Sequence, residues 1–556
     1  MAKIPQEYLP SKDLWPKRIY ELPEHKNIPQ KFNSSEVLID GAVAKGWGDK
    51  PALLIDEQKI PYKALAANMN KFGNALKSLG LEENDRVMLR SPNIPPAIVA
   101  NFAAIKAGGI FLPTSPLFAR TEIAHVANNS EAKFMVVAAA MWDEVEKALP
   151  DIKTVQHFIL IGDPPAIEAI KEKNKGKNIH SYADLMKDAD PKLEAVQKDR
   201  MDVSVMLYTS GTTGLPKGTV HFMEESLIVA DGFGKYCWQV TENDVLASPA
   251  PIAMAAGYSA AAVIPYRFGA ALSLLPRFTP EAMYENIQKH KVTILSALPT
   301  AYRKMMQVPD AAKKYDLSSL KTCTGGGEAL SAQTYNEWKK MFGLEIFEGL
   351  GTTEMMFVFI SGAAVRKVKP GSIGPAIPGY KLRCVTEDGK DAKPGETGML
   401  LAQGPTGVIY WKDNDKQRSA VTDGWCRAGD MVNLDEDGYV WFLSREDDLI
   451  KSSGYRIGPE EIEEALMMHP QVLEAGVVGV PDPVMGQKTK AFVVLKPEAQ
   501  PSEDLKKELV EFCRDKIAVY KLPREVEFIK ELPRTPPPQF KLLRRKLRDM
   551  EKGKSG

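Results

Sequence analysis

The sequence predicts an α/β protein with three parts: a large body of stacked helix and strand layers, a small mainly antiparallel unit, and a compact α+β module at the end. Three observations carry this. Short apolar runs alternate with helix-length segments over the first two-thirds of the chain, the signature of layered, largely parallel sheets. Between roughly 365 and 445, short strands are separated by EDGK, KPGETG, TDGW and DEDG turns, which reads as an antiparallel unit. From about 446 the pattern becomes helix, strand, strand, helix, strand, a module of about 110 residues, within the ordinary size range of a separate domain.

In chain order, the strand candidates of the body are RVMLR (86–90), KFMVVAA (133–139), HFILIG (157–162), VSVMLYT (203–209), VTILSAL (292–298) and LEIFEGLG (344–351). Helix candidates include 63–80, closed by a glycine stop signal, and PEAMYENIQKH at 280–290, opened by a proline that suits a first helical position. In the final module EEIEEALMMHP reads as a helix, AGVVGV and TKAFVVLK as strands, SEDLKKELVEFCRDKI as a second helix and EVEFIKEL as a strand. The boundary before it falls at SREDDLIK, 444–451.

Composition bounds the function classes. In 556 residues, 72 Lys+Arg balance 72 Asp+Glu, and 44% of residues are hydrophobic. A folded chain of several domain-sized units is expected, with cores large enough to need no disulfide or metal staples. Neutrality argues against a dedicated nucleic-acid binder, which needs a basic excess on at least one domain. The five cysteines are odd in number and widely spaced, fitting neither a disulfide framework nor a CxxC metal site. With no signal-like N-terminus and no run of about 20 apolar residues, a cytoplasmic protein without an integral membrane segment is expected.

The strongest local signal is YTSGTTGLPKG at 208–218, directly after the strand VSVML. Gly211, Gly214 and Gly218 let the backbone turn with its amides exposed, Thr209, Ser210, Thr212 and Thr213 offer hydroxyls, and Lys217 adds positive charge. That is the composition of a polyphosphate cradle. It does not match the GxxxxGK[ST] spacing of Walker-type NTPases.

Together with GGGEAL (325–330), EGLGTTEM (348–355), the long run GWCRAGDMVNLDEDGYVWFLSREDDLIKSSGYRIGPEEIE (424–463) and LPRT (532–535), in this order, the loop resembles the adenylate-forming superfamily. That superfamily holds acyl- and aryl-CoA synthetases, peptide-synthetase adenylation domains and luciferases. The resemblance is strongest to the medium-chain acyl-CoA and benzoate-type branch. It implies an N-terminal AMP-binding domain (1–445) containing a β-barrel-like subdomain, then a mobile C-terminal domain (446–556). It also implies an ATP-dependent acid–thiol ligase that makes an acyl-AMP and passes the acyl group to CoA. A luciferase-like oxidoreductase and a non-catalytic ATP-binding relative are the alternatives, and a homodimer is compatible with each.

By resemblance the residues take roles. Glu354 is the Mg2+ ligand, with Thr209 beside it, and Thr353 contacts the α-phosphate region. The nucleotide lies along Thr209–Gly214, Lys217, Gly326, Gly327, Glu328, Glu348 and Gly349, with Asp430 and Arg445 at the ribose. Asp447 is the hinge of a domain swing, Lys541 serves adenylation, and Gly454, Tyr455 and Arg456 serve CoA. The tail departs from the family: LPRTPPPQFK carries a proline run where a short glycine-containing segment is usual. Lys541 matches because KLLRRKLR follows it; without a two-residue insertion Gln539 would hold that place.

The expected acid pocket is bounded by Met254, Gly257, Tyr258, Gly351 and Met355, with Met356 beside them. Gly351 stands where acetyl-CoA synthetases place a Trp, so the pocket is expected to open toward longer or ring-containing acids. The segment 248–262 has no acidic residue to pair an α-amino group, which disfavours amino acids as substrates.

Overall fold

The computed structural model describes residues 4–209, 215–453, 455–534 and 542–552. Ser210, Gly211, Thr212, Thr213, Gly214, Gly454 and Lys541, all expected at the site, lie outside the described residues, as does Gln539.

Two large sheets make the body. The first has seven strands in the spatial order Lys217–Phe222, Val203–Thr209, Ile110–Pro113, Arg86–Arg90, Ala132–Ala138, His157–Ile161 and Ile179–Ser181. All neighbours are parallel except the first pair, which is an antiparallel hairpin. The second has eight strands, parallel through its centre and closed at each edge by one antiparallel strand, Val358–Ser361 and Gln58–Pro61. Successive residues of a strand face opposite sides of the sheet, so a strand covered on both faces must be apolar throughout. RVMLR obeys this: Val87 and Leu89 face the core shared by the two sheets, while Met88 faces the outer helices.

That shared core is filled by the helices Tyr62–Ser78 and Pro95–Lys106, packed between the sheets. A second helical layer, including Pro280–His290, Pro299–Met306 and Ala332–Phe342, covers the outer face of the eight-stranded sheet. The expected helix 280–290 forms with those bounds because the Thr279 hydroxyl accepts from the Ala282 N–H and Pro280 needs no donor partner there. The helix expected over 63–80 ends earlier, at Ser78, with Gly80 at φ 88° beyond the cap. The strand expected over 292–298 shrinks to Ile294–Ser296.

The turn-rich stretch forms a five-stranded antiparallel sheet, from Lys381–Val385 to Val440–Arg445. A last five-stranded sheet draws only on residues from Ile450 onward. It is backed by the helices Pro459–Met467 and Glu503–Arg514 around their own core. One 3-10 turn, Glu446–Asp448, joins the two sheets, and Asp447 within it is exposed. Among the described residues no helix is long and apolar enough to cross a membrane. All five cysteines are free and buried.

Candidate active site

The phosphate-type loop is flanked by two paired strands. Thr209 closes the strand Val203–Thr209 and pairs directly with Lys217, which opens the returning strand. The chain therefore leaves this loop into a strand, not into a helix as in Walker-type NTPases. Against both strands of the hairpin lies the 3-10 turn Thr353–Met355, so the elements that carry Thr209, Lys217, Thr353 and Glu354 are packed together although the sequence separates these residues by up to 145 positions. Thr352 caps the turn by accepting from the Met355 N–H, and Thr353 and Glu354 remain partly exposed.

A segment without a role in the sequence reading braces this group. Residues 409–411 run beside the returning strand: the Val220 N–H donates to Ile409 O at 3.0 Å and the Trp411 N–H to Gly218 O at 2.9 Å. From there the Tyr410 hydroxyl donates to Glu354 Oε1 at 2.8 Å, and Asp413 pairs with Lys217 at 3.5 Å. Burial, reinforced by the Glu354 charge, holds the Tyr410 hydroxyl protonated well beyond its ordinary range. No local pattern announces these contacts, which arise only when the hairpin and the antiparallel unit meet.

The glycine-rich turn sits on the neighbouring sheet. Gly326 and Gly349 are paired across parallel strands, and a Cβ on Gly326 would lie 2.9 Å from Gly349 O, so close approach of the two strands itself requires glycine there. Gly327, at φ 85°, turns the chain after the strand. Glu328 does not point into an open slot: its carboxylate accepts from the Thr300 N–H at 2.5 Å, at the start of the helix Pro299–Met306, and pairs with Arg303. Glu348 is buried and accepts from the Leu330 N–H at 2.9 Å, tying the GGGEAL turn down from beneath. Burial pushes its carboxyl up to about 8; the Leu330 N–H works in the opposite direction, and Glu464 of the helix Pro459–Met467 and then Glu328 add to the rise. Glu464 is itself pushed up to about 7, by burial and by Glu461 and Glu463.

Asp430 and Arg445 stand directly opposite one another on adjacent antiparallel strands and form an ion pair at 2.8 Å. The carboxylate is buried while the guanidinium is half-exposed and also donates to Ala428 O. The pair is thus fixed beside the link to the last sheet. On that sheet Tyr455 is exposed and stacks on Tyr520 with ring centroids 4.3 Å apart. Arg456 lies in the same short strand, and its side chain is outside the described set.

The acid-pocket expectation needs revision in its details. The loop before the helix Ala255–Ala262 is held by Asn93, which donates to Ala250 O and accepts from the Ile252 N–H. The helix meets the Thr-Thr-Glu turn through Ser259, whose hydroxyl donates to Met356 O at 3.0 Å. The two wall segments are therefore adjacent. Met254 is half-buried at the helix start. Tyr258, however, is a core residue, its ring tilted against Phe111 and its hydroxyl donating to Asn101 Oδ1, and Met355 and Met356 are packed into two core clusters. Gly351 opens no space by lacking a side chain: a Cβ there would lie 2.5 Å from Phe357 O and 2.8 Å from Val358 N. Its hydrogen is demanded by the backbone crossing beneath it. Gly257 is likewise pressed against the chain, 2.0 Å from Pro251 O if given a Cβ.

Among the described residues no group of three or more His, Cys, Asp and Glu is placed to hold a metal. The hard oxygen donors at the hairpin, one carboxylate and nearby hydroxyls, suit a partly hydrated Mg2+ that completes its shell from phosphate oxygens.

A loop rich in hydroxyls and glycine, an acidic turn and a fixed Asp–Arg pair, set where body and antiparallel unit meet, make a nucleotide-handling enzyme. The chain belongs to the AMP-binding enzyme family, whose model matches residues 42–409, with the AMP-binding enzyme C-terminal domain matching 461–537. It is similar to the benzoate–CoA ligase of Thauera aromatica, 33% identical over 91% of this chain and 94% of that one. It is also similar to the mitochondrial acyl-coenzyme A synthetase ACSM3 of Pongo abelii, 31% identical over 91% and 88%. Among solved structures, the anthranilate CoA ligase AuaEII in complex with anthranoyl-AMP superposes with a TM-score of 0.88 at 30% identity, covering 96% of this chain and 99% of that one. The activity of this chain is adenylate-forming ligation of a carboxylic acid to CoA, with ATP and CoA as co-substrates.

Proposed function

We propose that the acid carries no charge beyond its carboxylate and is aromatic or of medium chain length, with an aryl acid favoured. The observation that carries this is the wall itself: the loop 248–254, the helix Ala255–Ala262 and the 353–356 turn bring no acidic side chain to the place other than Glu354, which Tyr410 holds. An ammonium there would be left unpaired at a cost of several kcal/mol. The relatives named for benzoate and anthranilate support the aryl preference.

In the first half-reaction a carboxylate oxygen attacks the α-phosphorus of ATP, the bond to the bridging oxygen breaks, and pyrophosphate leaves. Thr209, Thr353 and Lys217 hold phosphate oxygens, and Asp430 with Arg445 holds the ribose. Glu354 and Thr209 would hold Mg2+, which would supply neutralisation of charge on the phosphates. Lys541 supplies a cation for this step. In the second half-reaction the CoA sulfur attacks the acyl carbon, AMP leaves, and the thiol proton passes to solvent. Residues 446–556 turn about Asp447 between the two, bringing Gly454, Tyr455 and Arg456 to the thiol path. The five free, buried cysteines support a reducing, cytoplasmic setting.

A panel of benzoate, hexanoate, acetate and phenylalanine, assayed for CoA thioester at equal concentration, tests the substrate. The expected order of kcat/KM is benzoate, hexanoate, acetate, phenylalanine, with at least about 100-fold between first and last. Preference for phenylalanine or acetate would overturn the proposal.

A further inference from the structure

We propose that Tyr410 is a positioning residue for the metal-binding carboxylate of Glu354, an inference that rests on the reading of Glu354 as the Mg2+ ligand. Glu354 sits in a single turn of 3-10 helix, a weakly self-supporting element, and its side chain is partly exposed. Left alone it would sample several rotamers, and each frozen rotor in such a chain costs entropy on binding. The structure supplies the missing restraint from a segment 56 residues away: the buried Tyr410 hydroxyl donates to Glu354 Oε1 at 2.8 Å. That bond uses one lone pair of one oxygen and leaves Oε2 and the other lone pair of Oε1 for a cation.

Tyr410 is itself doubly fixed. Its backbone N–H donates to the Oε1 of the fully buried Gln417 at 2.9 Å, while the Gln417 amide donates to Leu14 O and Val408 O at 3.0 Å each. Its main chain also bridges to Thr219, on the strand that Lys217 opens. The same segment holds the acidic turn a second time, because the Thr406 hydroxyl donates to Met355 O at 3.0 Å. The carboxylate and the phosphate hairpin are therefore registered against one common brace, 406–417. A fixed spacing between the elements that carry Glu354 and Lys217 follows from this shared brace. Groups that orient a metal ligand typically change metal affinity by about 10–100-fold when removed.

The experiment uses the full-length enzyme with Tyr410→Phe, which deletes one oxygen, and Glu354→Gln. Mn2+ binding to each enzyme in the presence of a non-hydrolysable ATP analogue is followed by electron paramagnetic resonance, and pyrophosphate release is measured against Mg2+ concentration. The expectation is that Tyr410→Phe weakens Mn2+ binding roughly 10-fold and raises half-saturating Mg2+ by a similar factor, while excess Mg2+ restores kcat to within about 3-fold of wild type. A merely structural role would lower kcat at every metal concentration and leave the half-saturating Mg2+ in place; that result would overturn the proposal. If Glu354→Gln leaves Mn2+ binding unchanged, the underlying reading of Glu354 fails and the proposal falls with it. If Glu354→Gln weakens binding while Tyr410→Phe does not, the proposal alone is wrong.

Discussion

The body and the C-terminal module hold themselves together by different means. The body is stitched by apolar layers: Phe111, Phe134, Val205 and Leu207 of one sheet and Leu53, Leu272 and Ile294 of the other share a core with the buried faces of the helices between them. The module has a smaller core and leans on converging charges. Lys490, almost fully buried, reaches Glu525, Glu527 and Glu551 within 3 Å, so one ammonium joins two strands to the terminal helix Arg544–Lys552. Arg544 meets Glu460, Glu463 and Asp448, and Arg548 also meets Asp448 next to the link. Apolar layers are tolerant of direction and give a rigid platform. Buried ion pairs are geometrically exacting, and breaking one partner is costly because its counter-charges stay behind.

The sharpest way to break this contrast is to remove one centrepiece from each part. Arg544→Met should strand Glu460 and Glu463, Asp448 keeping Arg548, and lower the stability of the module by about 3–5 kcal/mol, seen as an early unfolding step that leaves the body's transition in place. Phe111→Ala should cost a similar amount, about 3–5 kcal/mol, but in the body's transition. Calorimetry on both variants checks this, and one shared, unsplit transition shifting equally in both would erase the distinction.

Next in size is the effect on chemistry. Glu354→Gln should lower acid-dependent pyrophosphate release by about 100–1,000-fold with little change in melting temperature, since the turn is held by Thr352 and Thr406 irrespective of charge. Loss of fold in step with loss of rate would move Glu354 from the site to the scaffold.

The smallest effect concerns the seam between the two parts. Glu348 and Glu464 have carboxyls raised to about 8 and about 7. Their folded forms bind protons that the unfolded chain, titrating near 4.5, has already lost, so stability is greatest below that pH and declines as pH rises toward 8. Glu348→Gln keeps an acceptor for the Leu330 N–H and removes the charge. It should be stabilising relative to wild type at pH 8.5 and much less so at pH 5, measured by chemical denaturation. A pH-independent difference would contradict the burial argument.

Much of the fold was legible because it rests on local period and punctuation. The strand 203–209 and the helix 280–290 match their expected bounds, since apolar runs and a Thr-Pro start are sequence-local signals. Motif order singles out the loop at 208–218, the Thr-Thr-Glu turn and the positions Asp430 and Arg445, but neither the strand return after the loop nor the Asp430–Arg445 ion pair. What was not legible depends on the third dimension. Tyr410 and Glu354 are 56 residues apart on different units, and nothing in IYWKD marks a tyrosine that reaches a carboxylate. Gly351 was read as vacated space because sequence shows a missing side chain but not the Phe357 backbone lying under it. Tyr258 and Met355 were placed on a pocket wall for the same reason: an apolar residue near a motif faces core or ligand with no difference in its letter.

The chain makes an acyl-AMP before any thiol is involved. A single-turnover reaction with radiolabelled ATP and benzoate in the absence of CoA tests it most directly. One equivalent of pyrophosphate per active site is expected, with benzoyl-AMP retained on the enzyme and converted to benzoyl-CoA when CoA is added. Pyrophosphate release that requires CoA, or that proceeds without any acid, would contradict it.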